Sequence, residues 1–290
     1  MTTEKILKEH GLDFEIKKLP LMATDDDGTQ ILTPYFGLMN SQSREVINVC
    51  KAGYTISQNA EVIAMVLEGM KKFGDGLSVQ AAGSINGGRR VYVQLKIDGV
   101  KKILNTKYVQ YVTVIDSNDG STGLSVGVGD MFMHCRNQFF KFYKEGNSRF
   151  RHTATIEQKI KEIPNLIETA LGVNLKQIRT YENFASTKLT RNLADKMVKH
   201  VLGYDRKFTS LEEFNKLSGR SVNMMDELYR CIDEEKAVLG DNVLALFNGA
   251  TRYTTWVQKP TKRENGDMES LLIGAGYKKA ASAFEFCMAQ

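Results

Sequence analysis

A cationic segment is the part of the chain whose residue types most clearly indicate a chemistry. Residues 83–111, GSINGGRRVYVQLKIDGVKKILNTKYVQY, contain one carboxylate, Asp98, and six cations: Arg89, Arg90, Lys96, Lys101, Lys102 and Lys107. Because strand side chains alternate between two faces, one face of the segment is expected to hold Arg90, Tyr92, Gln94 and Lys96. Cations that track phosphates beside a ring that stacks on bases are typical of proteins that bind a single nucleic-acid strand.

Further cations follow this segment. They lie on a predicted helix and on the loop after it, and they are Arg136, Lys141, Lys144, Arg149, Arg151 and His152. If that helix packs beside the strands, all of these cations form one positive groove. Two simpler interpretations stay open: a solvated strand face is often basic, and His152 can cap the next helix locally. The formal net charge of +5 permits nucleic-acid binding without requiring it.

The turn IDSNDGSTGLSVGVG indicates a second chemistry. Asp116 and Asp119 together with His152 have the residue types to hold a divalent cation, as in a metal-dependent enzyme that processes nucleic acid or nucleotides. No later glutamate completes a calcium-binding loop of the helix–loop–helix type. An Asn-Asp-Gly turn usually serves backbone geometry. We therefore expect the turn to link two strands and to bind no catalytic ion.

The scattered cysteines and the lack of a nucleotide-binding motif argue against a cofactor. Cys50, Cys135, Cys231 and Cys287 are scattered, and only His134 and Cys135 bring a histidine and a cysteine together. On the helix predicted here, adjacent side chains point about 100° apart, which makes this pair a poor chelate. We expect reduced cysteines, no metal and no cofactor. The chain has no Walker motif, so ATP-driven recombinase chemistry is not expected.

Periodicity predicts an α+β fold. A strand is expected at LDFEIKKLPLMA, a strand or hairpin at REVINVCKAGYTIS, and a helix at AEVIAMVLEGMKKFG. Four strands then form an antiparallel β-hairpin sheet: LSVQAAGSI, RRVYVQLKI, KYVQYVTVID and STGLSVGVG. Asn86-Gly87-Gly88 and Asp98-Gly99 supply the hairpin turns, because these residues tolerate positive φ.

A helix after the sheet would complete a β-β-β-α-like core. Asp130 is expected to cap MFMHCRNQFFKFYKE, and a second helix, kinked by Pro164, to run from Thr153 or Thr155 through residue 172. The later segments are helical in pattern. We therefore expect residues 1–150 to form a strand-rich DNA-binding core, and residues 151–290 a helical region packed on it in one continuous domain. No apolar run is long enough to cross a membrane, and the N-terminus lacks a signal-peptide core, so we expect a cytoplasmic protein.

Several segments in order carry a family resemblance. YTISQNAEVIAMV, AAGSINGGRRVYVQLKI, DSNDGSTGLSVGV, MHCRNQFF, RHTATIEQKI and LFNGATRYTTW resemble the phage- and plasmid-associated domain-of-unknown-function family 932. The resemblance covers residue 10 to the C-terminus, and it implies a mobile-element gene in a bacterial cytoplasm. One departure is YTTW, where many relatives have an acidic residue and a histidine. The order of basic strands is also similar to the single-strand annealing proteins (Redβ, RecT, Erf and the Rad-type annealase), which are ATP-independent oligomers.

These features predict an ATP-independent protein that binds and anneals single-stranded DNA in phage or plasmid recombination. Its expected partners are single-stranded DNA and further copies of itself in a ring or filament. A phage exonuclease or a host single-strand-binding protein is a further candidate partner. Two other classes of function stay open: the metal-dependent enzyme described above, and a counter-defence factor that binds a host protein.

Overall fold

A computed structural model describes residues 2–73, 76–99, 101–104, 106–142, 149–207, 217–258 and 265–290. The strands of a small sheet come first: β1 (Ile16–Thr24), β2 (Gln30–Asn40) and β3 (Val46–Lys51). The strands of a larger sheet follow: β4 (Leu77–Ile85), β5 (Arg90–Ile97), β6 (Lys101–Ile103), β7 (Thr106–Ser117), β8 (Leu124–Phe132), β9 (Asn137–Phe142) and β10 (Arg149–Phe150).

Most helices follow the large sheet in the chain. Two precede it, α1 (Thr3–Glu9) and α2 (Asn59–Lys72). The others are α3 (Ile156–Ile160), α4 (Ile163–Ser186), α5 (Arg191–Leu202), α6 (Tyr204–Lys207), α7 (Gly219–Leu239), α8 (Val243–Arg252), α9 (Gly266–Leu272) and α10 (Ala275–Met288). A π-helical turn, Tyr253–Val257, continues α8. Among the described helices, none combines the length and the apolar character that crossing a membrane requires.

The large sheet is antiparallel, with the order β10-β8-β7-β5-β4, and β6 and β9 pair with β7 and β8. The predicted α+β class, with antiparallel hairpins followed by helices, is therefore confirmed. Asn86, Gly87 and Gly88 between β4 and β5 all have positive φ, of 55°, 68° and 91°. The turn chemistry predicted this hairpin because these residue types tolerate the left-handed conformation.

The helix expected after Asp130 is wrong, because this segment forms the hairpin of β8 and β9. Phe139 packs in the core on one face of the sheet, and Phe140 packs in a separate cluster on the other. Since both faces are covered there, adjacent Phe139 and Phe140 are both apolar, and without alternation periodicity alone does not distinguish this strand from a helix. The core after the strands is thus not a simple β-β-β-α unit.

The kinked helix expected around Pro164 is also different. Two separate helices, α3 and α4, meet there, and Pro164 lies in the first turn of α4. Proline lacks an amide hydrogen that a helix interior needs, whereas the first turn leaves its amides unpaired in any case. Proline therefore starts a helix here.

Helices cover both faces of the large sheet. Val91, Val93 and Leu95 of β5 face α2 and the first half of α4 in one core. Further along, Tyr108 and Phe132 join a second core formed with the helices of the C-terminal half. We call the opposite face of the sheet the outer face. Leu271 and Leu272 of α9 pack there against Tyr92, Ile115 and Phe140.

The small sheet has the order β1-β2-β3 and ends in a projecting hairpin of β1 and β2. Strand β2 was not anticipated, and it contains Pro34 although proline is rare in a central strand. The ladder between β1 and β2 is irregular near this point. The hairpin exposes large apolar side chains, among them Met22, Ile31 and Leu32, which are 48%, 51% and 65% exposed.

Asp130 gives the protein a predicted pH dependence. Burial raises the pKa of this carboxyl to about 7, although hydrogen bonds from Tyr181, Gln110 and Gln177 lower it. Between the unfolded pKa near 4 and the folded value, the folded state holds a proton that the unfolded state has lost. The free energy of unfolding should therefore fall by up to about 4 kcal/mol as the pH rises from 4 to 7. Denaturant titration should show that Asp130→Asn removes this part of the slope; an unchanged slope would contradict it.

Candidate functional site

Three of the lysines that were predicted to bind nucleic acid lie on the outer face of the large sheet. Lys96 of β5 is opposite Tyr111 of β7, and Lys102 of β6 is opposite Lys107 of β7. Opposed residues of antiparallel strands share a face, and so do residues two or four apart in one strand. Lys96, Lys102 and Lys107 therefore project from the same side. Lys102 and Lys107 are exposed, and their direct opposition is unfavourable without a nearby anion.

A groove of about 360 Å³ lies on this face beside Lys96. It lies next to α9, whose Met268 forms part of its wall, and the sheet contributes Gln80, Gln94, Lys96, Tyr111, Met133 and Gln138. Gln94 is only 6% exposed, and its amide nitrogen has no hydrogen-bond partner in the described structure. Thr113, opposite Gln94 in the register, also has an unpartnered buried hydroxyl. We call this groove, together with Lys102 and Lys107, the lysine groove.

Two residues expected to bind nucleic acid on this face are engaged by the protein. Tyr92 is 6% exposed and packs under α9, so the expectation of an exposed stacking ring is wrong. The guanidinium of Arg90 lies 3.0 Å from the Asp119 carboxylate and 2.5 Å from that of Glu269. Its Nε donates to Ser121 Oγ at 2.7 Å. Arg90 thus ties α9 to the sheet, and its charge is balanced by two carboxylates.

The other predicted cations do not form one groove with these lysines. Lys101 is opposite Tyr108 and so lies on the other face, and the Lys141 ammonium lies 4.4 Å from the centre of the Phe284 ring. Arg89 and Arg136 are exposed in the turns before β5 and between β8 and β9. Arg151 is exposed beside His152. Lys144 and the side chain of Arg149 lie outside the described residues.

His152 forms a buried polar cluster with Asp116, which we call the His152 centre. Its Nε2 lies 2.8 Å from Asp116 Oδ1, and its Nδ1 lies 3.2 Å from the Thr55 carbonyl oxygen. Ser57 Oγ donates to the other oxygen of Asp116. The Tyr54 ring stacks on the imidazole, with ring centres 5.0 Å apart. The sequence singled out Asp116 and His152, and the fold brings these two together.

The His152 centre differs from a nucleophilic triad and from the alternative in which Asp116, Asp119 and His152 hold a metal ion. In a triad the serine hydroxyl is hydrogen-bonded to the histidine, whereas here Ser57 Oγ donates to the Asp116 carboxylate and lies 3.5 Å from His152 Nδ1. Asp119 is directed elsewhere, because its carboxylate accepts from Ser117 and pairs with Arg90. In the described part of the chain, Asp116, Asp119 and His152 therefore do not converge as three ligands. Arg151 and His152 line a surface cavity of about 530 Å³.

A second cluster, the His134 centre, forms where the β8–β9 turn meets α7 and α8. Ligand atoms of His134, Cys135 and Glu235 lie within 4.8 Å of one another. The imidazole Nε2 of His134 is 2.8 Å from Glu235 Oε2. Adjacent residues converge here because the segment is a turn, with Arg136 at φ 54°. The argument that a helix would separate His134 from Cys135 is therefore wrong.

Amide side chains fix the carboxylate of the His134 centre. Asn137 Nδ2 donates to Glu235 Oε1 at 3.0 Å, and Asn248 Nδ2 donates to Oε2 at 2.6 Å. Glu235 is 1% exposed, and Arg252 lies 3.4 Å from its Oε1. Burial, followed by the nearby charge of Glu235, raises the pKa of the Cys135 thiol to about 12. Because that pKa is so high, this thiol is not a reactive nucleophile by itself.

The segments that carry the family resemblance meet at these two centres. Three of these segments form the His152 centre: YTISQNAEVIAMV supplies Tyr54 and Ser57, DSNDGSTGLSVGV supplies Asp116, and RHTATIEQKI supplies His152. MHCRNQFF and LFNGATRYTTW meet at the His134 centre, where Trp256 Nε1 also donates to Asn137 Oδ1 at 3.0 Å. A pattern for the family described as a domain of unknown function, DUF932, matches residues 46–272.

The chain belongs to the DUF932 family. The match spans more than three quarters of the 290 residues. Neither a curated protein nor a solved structure matches the chain. Membership of DUF932 therefore assigns no activity to the chain.

Several site residues were not found from the sequence. Tyr111 could have been identified from the sequence, because the hairpin register places it opposite Lys96. Met133 and Gln138 were assigned to a helix and so could not be placed on the sheet. Glu235 and Asn248 join the His134 centre from about 100 residues away along the chain. No local pattern marks that kind of contact.

Proposed function

We propose that this DUF932 protein binds single-stranded DNA in the lysine groove. The observation that carries this proposal is the unpartnered, buried amide of Gln94 in a groove lined by Lys96, with Lys102 and Lys107 on the same face. Lysines suit the phosphates, and side-chain amides suit the edge of an unpaired base. In duplex DNA the base edges that pair with the other strand are hidden, and these are the edges that a groove of this kind would contact.

The unpaired amide is an energetic argument for a ligand. A buried polar group without a partner costs about 1–3 kcal/mol, and such groups in folded proteins usually have a functional or solvent partner. Gln80 and Gln138 add two more amides to the same groove. The groove thus offers three side-chain amides and a lysine, and the amide of Gln94 is the buried one.

We infer that the bound strand is presented for annealing without ATP, in phage or plasmid recombination. Backbone contacts and a shallow base site carry little sequence information, which suits a protein that anneals many sequences. Strand order and basic charge, which resemble the annealing proteins, support this inference. A partner exonuclease or a host single-strand-binding protein is compatible with the activity. The protein would act in the bacterial cytoplasm.

Assembly into a homo-oligomer is part of this proposal. The projecting hairpin exposes Met22, Ile31 and Leu32, and β1 has β2 as its only strand neighbour among the described residues. An unpaired strand edge with apolar side chains is a site for pairing with another chain, here a second copy. Light scattering should show an oligomer that Leu32→Lys dissociates. A wild-type protein that is monomeric at all concentrations, with and without DNA, would contradict assembly.

Replacing Gln94 with methionine tests the groove. Methionine has a similar length and no unpaired amide, so the free energy of unfolding should rise by about 1 kcal/mol. The affinity for a labelled single strand should fall about tenfold, because a base contact is lost. Fluorescence anisotropy and denaturant titration measure the two effects. Gln158→Met, on the exposed surface of α3, serves as the matched control.

The combination of results decides the proposal. Raised stability with weaker binding supports a ligand-facing amide. Raised stability with unchanged binding would place the strand elsewhere on the molecule. If the wild-type protein binds no single-stranded DNA at low salt, the proposed function fails, and the protein-binding class becomes the better interpretation.

A further inference from the structure

We propose that the His134 centre binds one transition-metal ion, with Zn²⁺ as the best-fitting ion. The ligands would be the imidazole Nε2 of His134, the thiolate of Cys135 and the carboxylate of Glu235. Their ligand atoms already lie within 4.8 Å of one another. This site is separate from the lysine groove, so it adds to the proposed function without depending on it.

The donor set fits zinc closely. Zinc binds nitrogen at about 2.0–2.1 Å, thiolate at about 2.3 Å and carboxylate oxygen at about 2.0–2.2 Å. Tetrahedral ligands at these lengths are about 3.5 Å apart, so the three atoms need to move only by about an ångström. A mixed set of nitrogen, sulfur and oxygen does not suit magnesium or calcium, which prefer oxygen ligands alone.

The surroundings resemble the second layer of a metal centre. Metal-binding carboxylates are usually held by further hydrogen bonds, and Glu235 accepts them from Asn137 and Asn248. The amide of Asn248 also lies 3.7 Å from Cys135 Sγ. Arg252 lies on the Oε1 side of Glu235, whereas His134 lies on the Oε2 side. The cation and the proposed ion are therefore on different oxygens of one carboxylate.

Solvent reaches this site through His134, whose side chain is 23% exposed, while Glu235 is buried. Three protein ligands leave a fourth position of the tetrahedron for water or a substrate atom. Structural zinc sites usually have four protein ligands. The proposed centre therefore belongs to the open class, in which zinc activates a bound water.

Metal titration of the full-length, chelator-treated protein tests the proposal. Zinc should bind with one equivalent per chain in competition with a chromophoric chelator. Cobalt in the same site should give the near-ultraviolet absorption that a cobalt–thiolate bond produces. His134→Gln and Cys135→Ser should each weaken zinc binding by more than tenfold, and Cys135→Ser should abolish the thiolate band.

A matched control is available in α5. His200 Nδ1 lies 2.7 Å from Asp205 Oδ2, which makes a histidine–carboxylate pair that joins no three-ligand cluster among the described residues. His200→Gln should leave zinc affinity and the cobalt spectrum unchanged. His134 is exposed, so its variant should fold normally, as circular dichroism will check. The proposal would be overturned if the wild type bound no stoichiometric zinc. It would also be overturned if the His134 and Cys135 variants bound zinc as tightly as the wild type.

Discussion

Replacing Lys96, Lys102 and Lys107 together with alanine should weaken binding of a single strand about 100-fold at 0.1 M salt. Each lysine that neutralises a phosphate contributes about 0.7 to the slope of log affinity against log salt concentration, so the triple variant should lose about 2 from that slope. Extrapolated over the tenfold range from 0.1 to 1 M salt, this change in slope corresponds to about two orders of magnitude. Fluorescence anisotropy across a salt series measures both quantities.

A second triple variant separates position from total charge. Three exposed lysines serve as the control: Lys71 on α2, Lys161 between α3 and α4, and Lys196 on α5. Changing these three to alanine lowers the formal net charge from +5 to +2, as the first variant does. We expect this variant to retain most of the affinity. Equal losses in the two variants would mean that net charge alone attracts the DNA.

Changing Gly249 to alanine should destabilise the fold by about 2–3 kcal/mol. Gly249 lies in α8 where this helix crosses α7, and a β-carbon there would lie 2.6 Å from Ile232 Cα and 2.8 Å from Ile232 N. Backbone atoms cannot move aside as a flexible side chain can, so the helices must separate. The same helix pair supplies Glu235 and Asn248, so we expect the His134 centre to loosen as well.

Gly172 provides the control for this change. It lies within α4, and a β-carbon there would meet no atom within 4 Å. Alanine is the better helix former, so Gly172→Ala should stabilise the protein by up to about 1 kcal/mol. Denaturant titration of the two variants should give opposite signs. A stabilising Gly249→Ala would contradict the close packing of α7 on α8.

The hairpins were predictable because their signals are local. Asn86-Gly87-Gly88 specifies a tight turn by itself, and the alternation in β5 places Val91, Val93 and Leu95 on one face. The same alternation correctly grouped Arg90, Tyr92, Gln94 and Lys96. What alternation does not reveal is whether the second face is covered. Helix α9, which begins at Gly266 much later in the chain, decides that Tyr92 is buried.

The wrong helix at β9 and the wrong expectation for Tyr92 share one physical cause, namely the burial of both faces of the sheet. Phe139 and Phe140 are adjacent and buried on opposite sides, so β9 lacks the alternation that identifies a half-buried strand. The resulting helix assignment removed Met133 and Gln138 from the groove. It also hid the convergence of His134 and Cys135. Contacts such as His134 with Glu235 depend on tertiary packing, which no local pattern carries.

Photo-cross-linking of a bromodeoxyuridine-substituted single strand tests the central claim most directly, because it maps where the strand lies. Cross-linked peptides identified by mass spectrometry should fall in residues 106–138, which include the exposed Met133 of the lysine groove. The Lys96, Lys102 and Lys107 triple variant should lose these cross-links, and the control triple variant should keep them. Cross-links confined to α5 and α7, far along the chain from the groove, would contradict the proposed binding site.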